Sequence, residues 1–412
     1  MKSNQKDIKV LQELAKKYME LANKPVQEER RKLWSDHFSK KRTRPPVMIS
    51  YGMWVHWCKE VLADDKLECE ESFYREYEKA FKLMFLMDET GDDTILEPWL
   101  ELSATKEGTW DNHWGIERQL TKSAQEGGAF HLDAMMKDWS DMSKLKALHH
   151  KIDEEDTKKR VEKLSEAIGK IITIDVIRNP VYLSFTGDIS TDLANIRGLE
   201  LIMIDMYESP KELHELLAFM RDGILRNHKE AEEAGHFKLT SHNNQAMRYC
   251  NELERPKPNS KPVKRKDLWG FFAAQEFALI SPEFHDEFLL QYQLPIIENF
   301  AMIHYGCCED LTKKIDMLRK VKNLRSIAVT PVADYRKCAE QIKKDYVCSY
   351  RPNPTDMVCA GWDEDRIKRI ITDAKDAFKD SYWHIHLKDI ETLQGDLTRM
   401  KRWVKIVRGI TG

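Results

Sequence analysis

The sequence predicts an α/β protein built as a closed (β/α)8 TIM barrel over residues 45–412, preceded by a helical extension over residues 1–44. Two observations predict it. Short apolar runs alternate with longer stretches of helical periodicity, the pattern that makes parallel strands joined by helical crossovers. The strand-like runs also number eight, the count that closes a barrel.

A chain of 412 residues that is 42% hydrophobic can bury a large core. With 33% charged residues but a net charge of only −3, and a pI near 6.6, it carries no general invitation to nucleic acid or to anionic membranes. The eight cysteines (58, 69, 250, 307, 308, 338, 348, 359) form no disulfide framework and no C-x-x-C pair. The N-terminus reads as a charged helix and no run approaches a membrane span, so a cytoplasmic location is expected.

Residues 8–22 carry apolar positions at helical spacing, and a basic stretch follows to Arg44; this leader is expected to pack outside the barrel or against a second copy in a homodimer. Pro45 and Pro46 punctuate, and Val47–Tyr51 is the first strand. A helix over 69–87 leads to a second strand over 94–102, strained by Pro98. Residues 104–175 read as an excursion above the sheet, with an amphipathic helix over 153–172. The remaining strands are expected at 181–186, 237–241, 301–305, 326–330, 346–350 and 383–387, separated by helices over 192–207, 210–234, 282–297 and 363–378. The Pro- and Lys-rich stretch 255–267 is expected to be a mobile loop.

Barrels of this kind carry their chemistry where strands end. Those positions are unusually rich in reactive groups: Tyr51, Trp54, Glu97, Glu101, Asp188, His242, Asn243, Asn244, Cys307, Glu309, Asp334, Arg351, Asn353, Lys388 and Asp389. The run from Phe300 to Leu311, FAMIHYGCCEDL, places His304, Cys307 and Cys308 together. Imidazole nitrogen and thiolate are zinc's preferred ligands. Adjacent residues on a strand face opposite sides, so at most one of the two cysteines is expected to reach a metal along with His304.

Four phrases, in order, make the chain resemble the uroporphyrinogen decarboxylase superfamily: RPPVMISYG, RGLELIMIDMYESPKELHELL, SPEFHDEFLLQYQLPIIENF and SYRPNP. The decarboxylases carry an Arg-Gln-Ala-Gly-Arg-like run after the first strand; residues 51–58 here read YGMWVHWC, without arginine, which argues against a porphyrinogen substrate. The other branch comprises corrinoid-dependent methyltransferases. Their acceptor enzymes use His-x-Cys plus a later Cys on zinc, whereas the last strand here offers WHIHLKD with no cysteine. The chain is more similar to the first methyltransferase of aryl methyl ether O-demethylases. That resemblance implies a methoxylated aromatic substrate, a corrinoid supplied by a carrier protein, and zinc. A methylcobamide:thiol methyltransferase and a non-catalytic small-molecule-binding barrel are the alternatives.

The chemistry implied is attack of a Co(I) corrinoid on the ether methyl, with the protein stabilising charge on the departing oxygen. His242, His304 and Glu309 are the candidate catalytic groups; His386 is a further proton donor. Trp54, Asn244, Trp269, Arg351 and Lys388 are the candidate substrate contacts, the last cations suiting a ring carboxylate. Zinc is expected on Cys307, His304 and Asp389. An alternative set, Glu200, Glu215 and His236, matches a zinc spacing linked to the O-demethylase family.

Overall fold

The computed structural model describes residues 2–51, 60, 62–108, 112, 114–117, 119–122 and 130–412. Eight strands enter parallel ladders: β1 (Val47–Tyr51), β2 (Trp99–Ser103), β3 (Thr173–Ile177), β4 (Trp269–Phe272), β5 (Met302–Tyr305), β6 (Leu324–Val329), β7 (Val347–Tyr350) and β8 (Tyr382–Ile390). Six of them form one curled sheet in the order β1-β8-β7-β6-β5-β4, and among the described residues β2 pairs only with β3. First and last strands meet in register, Val47 opposite Ile385 and Met48 opposite His386.

The ring is therefore not a closed ladder, which corrects the expectation of a fully closed barrel. Side chains stand where a neighbouring strand would pair. On the free edge of β1, the Val47 N–H donates to Asp93 Oδ2 at 2.8 Å and the Ile49 N–H to Asp92 Oδ2 at 2.8 Å. On the free edge of β4, the Trp269 N–H donates to His242 Nδ1 at 3.1 Å, and the Asn243 N–H donates to the Trp269 carbonyl at 3.1 Å. Capping an edge this way satisfies its backbone groups and denies it to other strands.

Two expected strands are turns. At 181–186 the Thr186 hydroxyl donates to the Val181 carbonyl at 2.6 Å and accepts from the Leu183 N–H, and Ser184–Thr186 is a 3-10 turn. At 237–241 the Lys238 N–H donates to Ser241 Oγ, and Leu239–Ser241 is another. Local hydroxyl bonds of this kind outcompete a ladder. The strands missed instead are β3, at the end of the supposed excursion, and β4, beyond the Pro/Lys stretch. That stretch is fastened: Arg255 pairs with Glu28 at 2.6 Å and the Asn259 N–H donates to Asp175 Oδ1 at 2.7 Å.

The N-terminal residues are part of the cores. Helix α1 (Lys2–Ala22) buries Leu11, Ala15 and Tyr18 against α3 (Ser72–Thr90) and α4 (Glu154–Ile168), while α2 (Pro25–Phe38) buries Trp34 and Phe38 against Met48, Trp269, Met302 and Val347 at the N-terminal ends of the strands. No helix among the described residues is long and apolar enough to cross a membrane.

Asp93 joins these parts. Its carboxylate takes two bonds from Arg44, each 2.7 Å, and one from Arg408 in the C-terminal helix at 2.8 Å, while its carbonyl accepts from Trp34 Nε1 at 2.7 Å. Burial raises its pKa, but the bonds and charge of Arg44, the charge of Arg408 and the Val47 N–H outweigh burial and hold it below its ordinary value. Asp93→Ala is expected to cost about 3 kcal/mol in urea unfolding, less than a fully buried pair because both arginines are about a third exposed. A lowered folded-state pKa gives stabilisation that is complete above the unfolded value of about 3.9 and lost as pH falls through the folded pKa. The gap between wild type and Asp93→Ala should therefore close as pH drops below about 4.

Candidate functional site

The polar cluster is assembled at the C-terminal ends of β5, β7 and β8. Strand β5 ends at Tyr305, and Gly306 turns the chain with φ +102°, a conformation side chains rarely adopt; a Cβ there would lie 2.7 Å from Leu311 Cδ1 and 2.9 Å from Ala328 Cβ. Beyond the turn, Glu309 Oε2 accepts the N–H groups of Cys307 and Cys308 at 2.8 and 2.9 Å, and Oε1 accepts that of Ala274 at 2.8 Å. The thiols consequently lie side by side, Sγ to Sγ 3.5 Å. The strand-alternation expectation fails here because the chain leaves the strand one residue before the first cysteine.

Lys388, near the end of β8, completes the group. Its Nζ lies 3.5 Å from Cys307 Sγ, 3.4 Å from Cys308 Sγ and 2.9 Å from Asp389 Oδ2. Asp389 adopts φ +59°, a left-handed conformation that Asp tolerates better than most residues. Gln245 Nε2 donates to Cys307 Sγ at 3.0 Å from the other side. An apolar cluster adjoins: Phe271, Ala273 and Cys307, with Phe185 set edge-on to Phe271 at 5.2 Å.

Charge is distributed unevenly across the two thiols. The Cys307 hydrogen bond lowers the Cys308 pKa, burial opposes it, the Lys388 ammonium helps, and the result is about 6. Cys307 moves upward, through the same hydrogen bond and burial. The pair thus holds a thiolate on Cys308 and the proton on Cys307. Burial alone would lower Lys388, but the negative charge carried by the sulfur pair and by Asp389 raises it, so it remains an ammonium.

Arg351 lies beneath, 1% exposed, with Nη1 donating to the Cys307 carbonyl and Nη2 to His304 Nε2 at 3.1 Å. His304, His384 and His386 form a buried layer inside the sheet. His384 bridges His37 and Ser349, each at 2.9 Å, and His386 bonds Ser50 at 2.7 Å. Burial lowers all three well below their ordinary pKa, so they stand as neutral imidazoles.

Other expected residues lie elsewhere. Trp269 opens β4 at the N-terminal end and packs edge-on against Phe38 at 5.2 Å. His242 sits beside it with both ring nitrogens occupied, Nδ1 by the Trp269 N–H and Nε2 by the Glu254 carbonyl at 3.0 Å. Asn244 Oδ1 accepts the Ala246 N–H at 2.9 Å and shapes the turn that presents Gln245. Trp54 lies outside the described residues. Gln245 was missed because a lone Gln in a loop carries no spacing signal.

Neither expected zinc set fits. Among the described residues no three His, Cys, Asp or Glu side chains are grouped to hold a metal. Each member of the first set already faces a cation: Cys307 and Asp389 face Lys388, and His304 faces Arg351. In the second, Glu200 and Glu215 are on separate helices, both exposed. The helix Pro210–Glu233 rises about 24 Å from Glu215 to Ala231, whose carbonyl accepts the His236 N–H, so the two lie far apart. His236 Nδ1 instead meets His150 Nε2 at 2.7 Å.

No protein-family model and no curated protein matches the chain. Among solved structures, a methyltransferase from Methanosarcina mazei has a similar fold, with TM-score 0.55 and 10% sequence identity over 93% of this chain and 99% of that one.

Iodoacetamide should label Cys308 with a rate that climbs through about pH 6, well under the ordinary thiol value of about 8.5. Lys388→Met should move that inflection upward, and Cys308→Ser should abolish the labelling.

Proposed function

We propose that the protein transfers a methyl group from an aryl methyl ether to the Co(I) corrinoid of a partner protein. The observation that carries this reading is the Lys388 ammonium set beside the apolar cluster of Phe185, Phe271 and Ala273 at the C-terminal end of the parallel strands. The methyltransferase fold of the Methanosarcina mazei protein and the sequence resemblance support it.

An aryl ether reacts slowly because its oxygen must accept an electron pair. The nucleophile comes from outside, so the chain's task is to seat the ring and stabilise that oxygen. Phe185, half-buried and packed edge-on against the buried Phe271, offers the ring an apolar surface. Lys388 offers a fixed positive charge, oriented by Asp389 and the Cys308 thiolate. Arg351 keeps the Cys307 backbone in place from below and is a positioning residue. No step is assigned to zinc.

The test mixes the protein with reduced corrinoid carrier and a methoxybenzoate, and follows Co(I) loss and phenol release together. Equal amounts of both are expected. Lys388→Met should slow the reaction by about 10²–10³-fold, the usual effect of removing one oxyanion donor. Co(I) loss without phenol, or a Lys388→Met variant at the wild-type rate, contradicts the reading.

A further inference from the structure

We infer that Glu276, backed by Asp188 through Ser190, is the acid that gives a proton to the departing oxygen; the inference rests on the aryl-ether reading above. Both carboxyls come from loops at the C-terminal ends of strands, Asp188 after β3 and Glu276 after β4. Ser190 Oγ donates to Glu276 Oε2 at 2.8 Å and lies 3.4 Å from Asp188 Oδ1. The pair adjoins the cluster that would seat the ring. Ser190 Oγ is 3.5 Å from the carbonyl of Ala273, which packs with Phe271 and Cys307, and the next residue, Ala274, donates to Glu309.

Three features single the pair out from a solvated acidic patch. Asp188 is fully buried, and its Oδ2 has no hydrogen-bond partner among the described residues. Neither carboxyl has an ion-pair partner among the described residues, although ion pairs are abundant elsewhere in the chain. A dedicated scaffold fixes the loops: Gln293 Nε2 donates to the carbonyls of Asp188 at 2.6 Å and Ala273 at 3.0 Å, and Tyr305 Oη donates to Gln293 Oε1 at 2.7 Å. A buried carboxylate without a cation costs far more than a buried carboxylic acid. Burial raises both pKa values, and neighbouring carboxylates add to it. Glu276 is the half-buried member, and so the one with access to substrate.

In the step proposed, the methyl–oxygen bond breaks and its electron pair stays on oxygen. The methyl carbon bonds to the reduced corrinoid, which is oxidised by two electrons. The Glu276 proton passes to the oxygen, giving a phenol and a Glu276 carboxylate that regains a proton from water. Lys388 stabilises the charge before the proton arrives.

The test uses the full-length protein with reduced corrinoid carrier and ring-substituted methoxybenzenes, from cyano-substituted to alkyl-substituted. Glu276→Gln is expected to lose about 10²–10⁴-fold on alkyl-substituted ethers, the range of general acid catalysis, and only about threefold on cyano-substituted ones, whose phenolates leave more readily. Glu276→Asp, which keeps the acid, should retain the wild-type dependence on ring substituent at a lower rate. A loss that is equal across the series marks a structural role and overturns the inference alone, as does a Glu276→Asp variant that behaves like Glu276→Gln. Wild-type inactivity on every ether overturns the aryl-ether reading, and this inference with it.

Discussion

The carboxylate of Glu309 holds the end of β5 and the segment after β4 in one grip, and the geometry of the site depends on it. Three backbone N–H groups converge on its two oxygens. These bonds to a charged acceptor are stronger than neutral ones, and they place two adjacent thiols on one side of the chain. From there, the Lys388 ammonium reaches both sulfurs, and Arg351 secures the Cys307 carbonyl from below. Glu309, read from sequence as a candidate catalytic group, has both oxygens spent on this framework.

The same device recurs at the sheet's two free edges. Asp92 and Asp93 take the N–H groups of β1, and His242 takes that of Trp269 on β4. Side chains thereby complete backbone pairing that a strand would otherwise supply, and the ladder stops without exposing its edge. Below the sheet, α2 fills the N-terminal end with Trp34 and Phe38. Above that plug His384 bonds His37 and Ser349, His386 bonds Ser50 and His304 meets Arg351, an interior more polar than the branched aliphatic layers usual in such barrels.

Much of this was legible in the sequence. The strands at Val47–Tyr51, Met302–Tyr305, Leu324–Val329, Val347–Tyr350 and Tyr382–Ile390 follow from apolar runs bounded by turn signals. Strand β2 starts directly after Pro98, where proline ceases to cost a ladder bond. The turns at 184–186 and 239–241 were hidden because Thr186 and Ser241 act through local hydroxyl bonds that hydrophobic periodicity does not register. The meeting of Lys388 with Cys307 and Cys308 was only partly readable: sequence placed all three at strand ends, but the turn at Gly306 decides which way the thiols face. Spacing misled at Glu200, Glu215 and His236, where an intervening helix carries the residues apart. The partnership of Asp188 and Glu276 depends on two distant loops and has no local signature.

The proposed ether cleavage requires the departing oxygen to lie beside Lys388. A crystal structure of the protein with the phenol that the proposed reaction would release from a methoxybenzoate measures this directly. The phenol oxygen is expected within hydrogen-bonding distance of Lys388 Nζ, with the ring against Phe185 and Phe271. A phenol seated instead at the opposite end, in the cleft of about 370 Å³ lined by Lys41, Arg44 and Lys375, would contradict it.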